Sequence, residues 1–359
     1  MNIMLAQLKD LVALTGPSGM EDDVVEYIVT ELALNGIKAQ VDPLGNIIAI
    51  REGTGGPTVM ISVHADEIGF IVKKIEHNGY IRFEKLGGGD NRILLAQRVW
   101  VRGENGQVLG VIGCKSAHLS NVEERNKVVP HQDLYIDVGA ASDTEVRAAG
   151  IEVGDPVTFA SELHALGASK GQRLIGKAFD DRLGCVILLR LFRELGSEQL
   201  PATINGIFSV QEEVGLRGAK TASYPLTADV ALAVDATAAG DTPDGQGAGL
   251  ILGKGPGIKV MDSSMIAHRA VTRRLASVAK EKGIPYQLEI LPGIGTDAGA
   301  LHLHKGGVPT GVISIPNRYT HSPIEMVDVE DLEQAYQLLK HFVLSLKPGD
   351  SFAFGRKHQ

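Results

Sequence analysis

Between residues 5 and 34 the apolar positions recur three and four apart, as on a helix that buries one stripe, and the pattern breaks at Thr15-Gly16-Pro17-Ser18-Gly19. Two helices are expected there, the second starting near Glu21. Strand-like runs follow at 39–41, 47–51 and 58–63, the last apolar without alternation, as in a strand covered on both faces. From Glu67 to about Glu162 no long helical period appears. Short β-type runs at 70–75, 80–84, 98–102, 108–112 and 134–138 are punctuated by Asn78-Gly79, Gly87-Gly88-Gly89 and Asn105-Gly106, the last placed where a hairpin turn belongs. Beyond residue 170 helices and strands alternate again: helix 181–195 ending at Gly196, strands 203–210 and 230–234, helix 263–282, strand 310–315 and helix 329–346. This alternation predicts an open α/β sheet with helices on both faces. Residues 1–66 and 163–359 are expected to form one discontinuous domain, interrupted by a small β domain at 67–162.

A chain of 359 residues has room for two domains at roughly 100 to 200 residues each. No apolar run approaches the ~18 residues of a membrane span, and residues 1–10 lack the basic and apolar regions of a signal peptide, so a cytoplasmic protein is expected. A net charge of −8, with no Lys/Arg run, argues against nucleic acid and anionic lipid as partners. Cys114 and Cys185 stand far apart without a CxxC partner, which argues against a disulfide framework or a cysteine zinc site; both are expected to be buried packing residues. The acidity also has a sharper reading, because carboxylates gathered around cations count as negative in a sequence while being neutralised in the fold.

In an open α/β sheet ligands bind beyond the carboxyl ends of the strands. Those ends carry His64-Ala65-Asp66 after 58–63, Gln211-Glu212-Glu213 after 203–210, Asp235 after 230–234, and His321 shortly past 310–315, with Asp180-Asp181 at the start of a helix. Alone, any one of these reads as a cap or turn residue. Together, two imidazoles and several carboxylates suit zinc, cobalt or manganese rather than calcium, which takes oxygen only. Two such ions need a shared carboxylate, with a histidine and a carboxylate completing each side. The adjacent Glu212 and Glu213 point in different directions at a strand end, so one can ligate while the other stays free to carry a proton.

The segments Val63-His64-Ala65-Asp66-Glu67-Ile68-Gly69-Phe70, Gly176-Lys177-Ala178-Phe179-Asp180-Asp181-Arg182, Gln211-Glu212-Glu213-Val214-Gly215-Leu216-Arg217-Gly218-Ala219, Val234-Asp235-Ala236-Thr237, Gly295-Thr296-Asp297-Ala298 and Tyr319-Thr320-His321-Ser322-Pro323 carry a full-length resemblance. In that order, the sequence resembles the tetrahedral, or TET, family of dinuclear metallo-aminopeptidases, which includes glutamyl and deblocking aminopeptidases. The resemblance implies a zinc-peptidase-like catalytic domain with an open mixed sheet, and an inserted β-barrel-like domain. It implies two divalent metal ions per subunit, with Asp180 bridging them, His64 and Asp235 completing one site, and Glu213 and His321 the other. Glu212 would be the general base, and Asp66 would stand behind His64 and fix its tautomer. Short peptides as substrates, and dimers joined through 67–162 into a hollow dodecamer, follow from the same resemblance.

Two other hydrolases could use such a site: an N-acyl amino acid deacylase, or an endoglucanase, the latter at odds with carboxylates committed to metal. A non-catalytic assembly protein is a third reading, against which the complete set of ligands and base speaks. Outside the set, His118 reads as a surface residue or one approaching a neighbouring subunit's site, and His302 and His304 as packing or surface residues. Gly253-Lys254-Gly255-Pro256-Gly257 lacks the strand and Ser/Thr of a phosphate loop and reads as a turn beside the substrate pocket.

Overall fold

The computed structural model describes residues 3–169, 172–196, 198–243, 245 and 249–354. Helices α1 (Ile3–Ala13) and α2 (Asp22–Leu34) lead into strands β1 (Ala39–Val41), β2 (Ile47–Arg51) and β3 (Thr58–His64). Six strands follow: β4 (Gly69–Ile75), β5 (Ile81–Leu86), β6 (Arg98–Gly103), β7 (Gly106–Gly113), β8 (Tyr135–Asp137) and β9 (Pro156–Phe159), with short helices α3 (Val122–Arg125) and α4 (Asp143–Ala148) between them. The chain continues through β10 (His164–Ala165), β11 (Arg173–Gly176), α5 (Phe179–Leu195), β12 (Thr203–Ser209), α6 (Arg217–Ser223), β13 (Val230–Ala238) and β14 (Gly257–Asp262). It ends with α7 (Arg269–Lys282), β15 (Gln287–Leu291), α8 (Ala298–Leu301), β16 (Thr310–Asn317), β17 (Glu325–Asp328) and α9 (Val329–Ser345).

Eight strands form one sheet in the order β1-β2-β12-β3-β13-β16-β14-β15. Its centre, β12-β3-β13-β16, is parallel, while β2 against β12 and β14 against β16 are antiparallel, so the sheet is mixed. Strands β4 to β9 close into a barrel around a core of its own that includes Phe70, Phe83, Val99, Ile136 and Phe159. A small third sheet, β10-β11-β17, links the segment before α5 to the one before α9. The β6–β7 hairpin pairs down to Gly103 and Gly106, and Gly106, at φ +113°, supplies the backbone that other residues rarely adopt. Among the described residues no helix is long and apolar enough to cross a membrane.

Side chains alternate between the two faces of the parallel strands, and that alternation builds the site. Val59, Ile61 and Val63 of β3, Val230, Leu232 and Val234 of β13, and Ile313 and Ile315 of β16 share the main core with α1, α2, α5, α7 and α9. On the opposite face Met60, Ile207 and Ala231 pack against the short helices α6 and α8. Two or more residues further along each strand, that same face turns polar: Ser62 and His64, Ser209, Asp235 and Thr237, Ser314. A cleft therefore opens toward the carboxyl ends, on the face that only small helices cover.

Three sequence expectations shift. Asp235 lies inside β13 rather than after it, because the strand runs on to Ala238. The helix expected at 263–282 starts at Arg269: the Asp262 carboxylate takes the N–H groups of Ser264 and Met265 and turns the chain first, and His268 caps the helix. Of the two cysteines, Cys185 is buried, but Cys114 is only partly so.

Candidate active site

The seven residues singled out in the sequence meet at the carboxyl ends of the parallel strands. At their centre is Asp180, near the start of α5, with non-helical backbone angles there and at Asp181. Nε2 of His64 lies 3.0 Å from its Oδ1, and Nε2 of His321 lies 3.3 Å from its Oδ2. His64 Nε2 is also 3.6 Å from Asp235 Oδ1, and His321 Nε2 is 3.1 Å from Glu213 Oε1. Donor atoms of His64, Asp180 and Glu213 lie within 4.8 Å of one another, and so do those of His64, Asp181 and Asp235. Asp181 stands beside Asp180 in the sequence, which assigns it no role of its own. Its carboxylate accepts the backbone N–H groups of His64 at 3.2 Å and Gly184 at 2.9 Å, which gives it a holding duty.

Carboxylates that accept backbone N–H groups fix the loops. Asp66 is fully buried; its Oδ1 accepts the Glu212 N–H at 2.9 Å, and its Oδ2 accepts the Glu213 N–H at 3.2 Å and the Ser18 hydroxyl at 2.6 Å. Nδ1 of His64 is 3.1 Å from the Asp66 carbonyl oxygen and 3.5 Å from its carboxylate, so the backbone oxygen is the nearer acceptor. A proton held at Nδ1 would leave the Nε2 lone pair available to a cation placed beside Asp180. Glu21 accepts the N–H of Gln211, whose φ of +55° starts the turn that presents Glu212 and Glu213. Asp297 ties strand ends together by accepting the hydroxyls of Ser62 at 2.7 Å and Ser209 at 2.6 Å. Gly88 sits so close to His321 that an added Cβ would stand 3.0 Å from its Nδ1. Glu21, Gly88 and Asp297 were missed in the sequence, where the one available hint was that Asp297 falls in a motif of the family.

The charges show what the cluster is suited to hold. Burial acts against an imidazolium at His321, but Glu213 and Asp180 outweigh it and push its pKa up to about 12. Burial would also raise Asp180, yet the two imidazoles hold it below the usual carboxylate range. Asp235, buried and beside Asp180, is pushed up to about 7. Burial raises Glu212 and Glu213 above the ordinary value too. Protons and imidazolium charge thus stand in where the carboxylates crowd, the His321 imidazole 3.1 Å from Oε1 of Glu213 among them. A nitrogen and oxygen donor set carrying excess negative charge out of water fits divalent cations.

Beside these groups the cleft has a volume of about 550 Å³, and its remaining wall includes Leu216, Ala236, Thr237, Ile294 and Thr320. His118 is exposed on a short turn. His302 and His304 are packing residues, each with a ring nitrogen 3.0 Å from a backbone oxygen, of Ala298 and Leu226 respectively. The turn at residues 253–257 does not line the cleft, contrary to expectation. Gly253 and Gly255 donate their N–H groups to Asp331 in the first turn of α9, at 2.6 and 2.7 Å.

Comparison with known proteins agrees with this architecture. An aminopeptidase from the archaeon Desulfurococcus kamchatkensis superposes with a TM-score of 0.90 at 41% identity, over 96% of each chain. The TET1 peptidase of Pyrococcus horikoshii, which can assemble into a tetrahedron or a large octahedral shell, superposes with a TM-score of 0.86 at 34% identity, over 96% of this chain and all of that one. A lysyl aminopeptidase of Pyrococcus furiosus is 34% identical over 96% of this chain and 97% of its own. The model of the M42 glutamyl aminopeptidase family matches residues 45–338, and the chain belongs to that family of aminopeptidases.

Proposed function

We propose that this chain is a dinuclear metal-dependent aminopeptidase that removes N-terminal residues from short peptides. In this reading Asp180 would be shared by two divalent ions, with His64 and Asp235 holding one and Glu213 and His321 the other. The observation that carries it is that two imidazole Nε2 atoms face opposite oxygens of one carboxylate, at 3.0 and 3.3 Å, each with a further carboxylate at hand. Zinc, cobalt and manganese all accept such ligands.

When bound, the ions supply Lewis acidity that lowers the pKa of water toward neutrality and stabilises negative charge on the scissile carbonyl. The chain's own groups do the remaining work. Glu212 accepts a proton from the attacking water and delivers it to the nitrogen of the departing amine. Its backbone N–H is clamped by Asp66, so the carboxylate is carried on a loop with little freedom to move. The apolar wall of Leu216, Ala236 and Ile294 gives substrate side chains a place apart from the carboxylates.

Residues 67–162 are read as the dimerisation domain, with dimers assembling into a tetrahedral dodecamer, and the likeness to the P. horikoshii peptidase supports that assembly. Zinc titration of chelator-stripped protein, followed by calorimetry, is expected to show two equivalents per chain. A single equivalent would sink the dinuclear reading.

A further inference from the structure

Glu325, the first residue of β17, is 2% exposed and takes no part in the chemistry described above. Both of its oxygens are committed to backbone on either side of the site. Oε1 accepts the N–H of His321 at 2.8 Å, and Oε2 accepts the N–H of Asp180 at 3.0 Å and the side-chain amide of Asn317 at 3.3 Å. The two backbone groups come from different elements, the start of α5 and the loop after β16, and they belong to the shared carboxylate and to one of the two imidazoles. Nothing else among the hydrogen bonds described ties these two backbones to a single side chain.

Two features make this tie consequential. His321 has φ +61°, a left-handed conformation that is unfavourable for a non-glycine residue and persists only where its surroundings hold it. Its N–H bond to Glu325 is such a hold. Glu325 is itself anchored by the pairing of β17 with β11, where it lies opposite Gly176, four residues before Asp180. The strand pair therefore sets where both N–H groups must point.

We propose that Glu325 is a positioning residue that fixes the separation between Asp180 and His321, and thereby sets the affinity of the half-site that these two form with Glu213. This rests on the metal reading of the site given above. Partners that orient metal ligands typically contribute about 10- to 100-fold in metal affinity.

The test compares zinc titrations of the chelator-stripped wild type, Glu325→Gln and Glu325→Asp by calorimetry. Gln keeps one acceptor oxygen and Asp is a methylene short, so each is expected to bind one of two equivalents about 10- to 100-fold more weakly. Asp keeps the charge: wild-type affinity in Glu325→Asp with weakening only in Glu325→Gln would show an effect of charge and overturn the positioning role. Unchanged affinity in both variants, even with a lowered metal-free Tm, would also overturn it by leaving Glu325 a structural residue. Should neither variant fold, Asn317→Ser removes the amide donor to Oε2, together with the acceptor of the Met326 N–H, while leaving the His321 bond to Oε1; it is expected to weaken the same equivalent by several-fold, with unchanged affinity overturning the proposal. Fewer than two equivalents in the wild type defeats the metal reading itself, a failure separate from that of Glu325.

Discussion

Glu212 and Glu213 are neighbours for which different duties are proposed, and the proposal turns on what surrounds each. Glu213 Oε1 lies 3.1 Å from the His321 imidazole, whereas Glu212 has no such partner among the described residues and lines the cleft, as the proposed proton carrier must. Glu212→Gln is expected to keep both ions and to lose about 10²- to 10⁴-fold in kcat, the usual worth of a general base. Near-full activity in that variant would remove Glu212 from the role.

The same cluster predicts a pH dependence for the metal-free protein. Asp235 is raised from 3.8 to about 7 and Glu325 from 4.5 to about 8, by burial first and by Asp180 second. A folded pKa above the unfolded one gives stability that is fully present below the unfolded value and is lost as pH climbs through the folded value. Tm of the stripped protein should therefore fall between about pH 5 and 8. Asp180 and Asp66, which are lowered, act in the opposite sense only below about pH 4 and leave that window alone. A stripped protein whose Tm rises across the window would contradict this account of the cluster. The proposed ligand positions could be picked out in the sequence, because each is a polar residue at or near the end of an apolar strand or the start of a helix. Asp297 and Glu325 were not, since they act by accepting hydrogen bonds from groups up to 235 and 145 residues away.

At the level of elements, the loops that face the cleft are limited by space as much as by hydrogen bonds. Gly88 follows β5 and lies against His321, with room for no side chain larger than hydrogen unless the imidazole shifts. Gly88→Ala is expected to lower kcat/KM by about tenfold with little change in Tm, as for other groups that orient a metal ligand. Unaltered kinetics would mean that the loop yields without cost. The sequence marks Gly87-Gly88-Gly89 as a turn but cannot say what the turn touches. Strands β14 and β15 escaped notice for a different reason. In β15 the pattern is inverted: Leu288 and Ile290 are 64% and 62% exposed, while Glu289 between them is buried against Lys259 of β14 and the Ser314 hydroxyl. A buried charge in each strand hides the alternation that usually betrays one.

For the whole molecule, local pattern predicts an open α/β sheet and a β insertion, and both are present. Closure of β4 to β9 into a barrel, and the pairing of β11 with β17 across about 150 residues of chain, depend on long-range register that no local pattern records. The full-length resemblance supplied what periodicity could not, including the expected assembly. Light scattering on purified protein should give about twelve times the 38.2 kDa chain mass, and a monomer would refute the dodecamer. The most direct test of the central claim is hydrolysis of aminoacyl-p-nitroanilides and their N-acetylated counterparts by chelator-stripped protein, before and after zinc, cobalt or manganese is restored. Release from free-amine substrates alone, and only after a metal is restored, is the predicted result; cleavage of the acetylated substrates, or activity indifferent to metal, would contradict it.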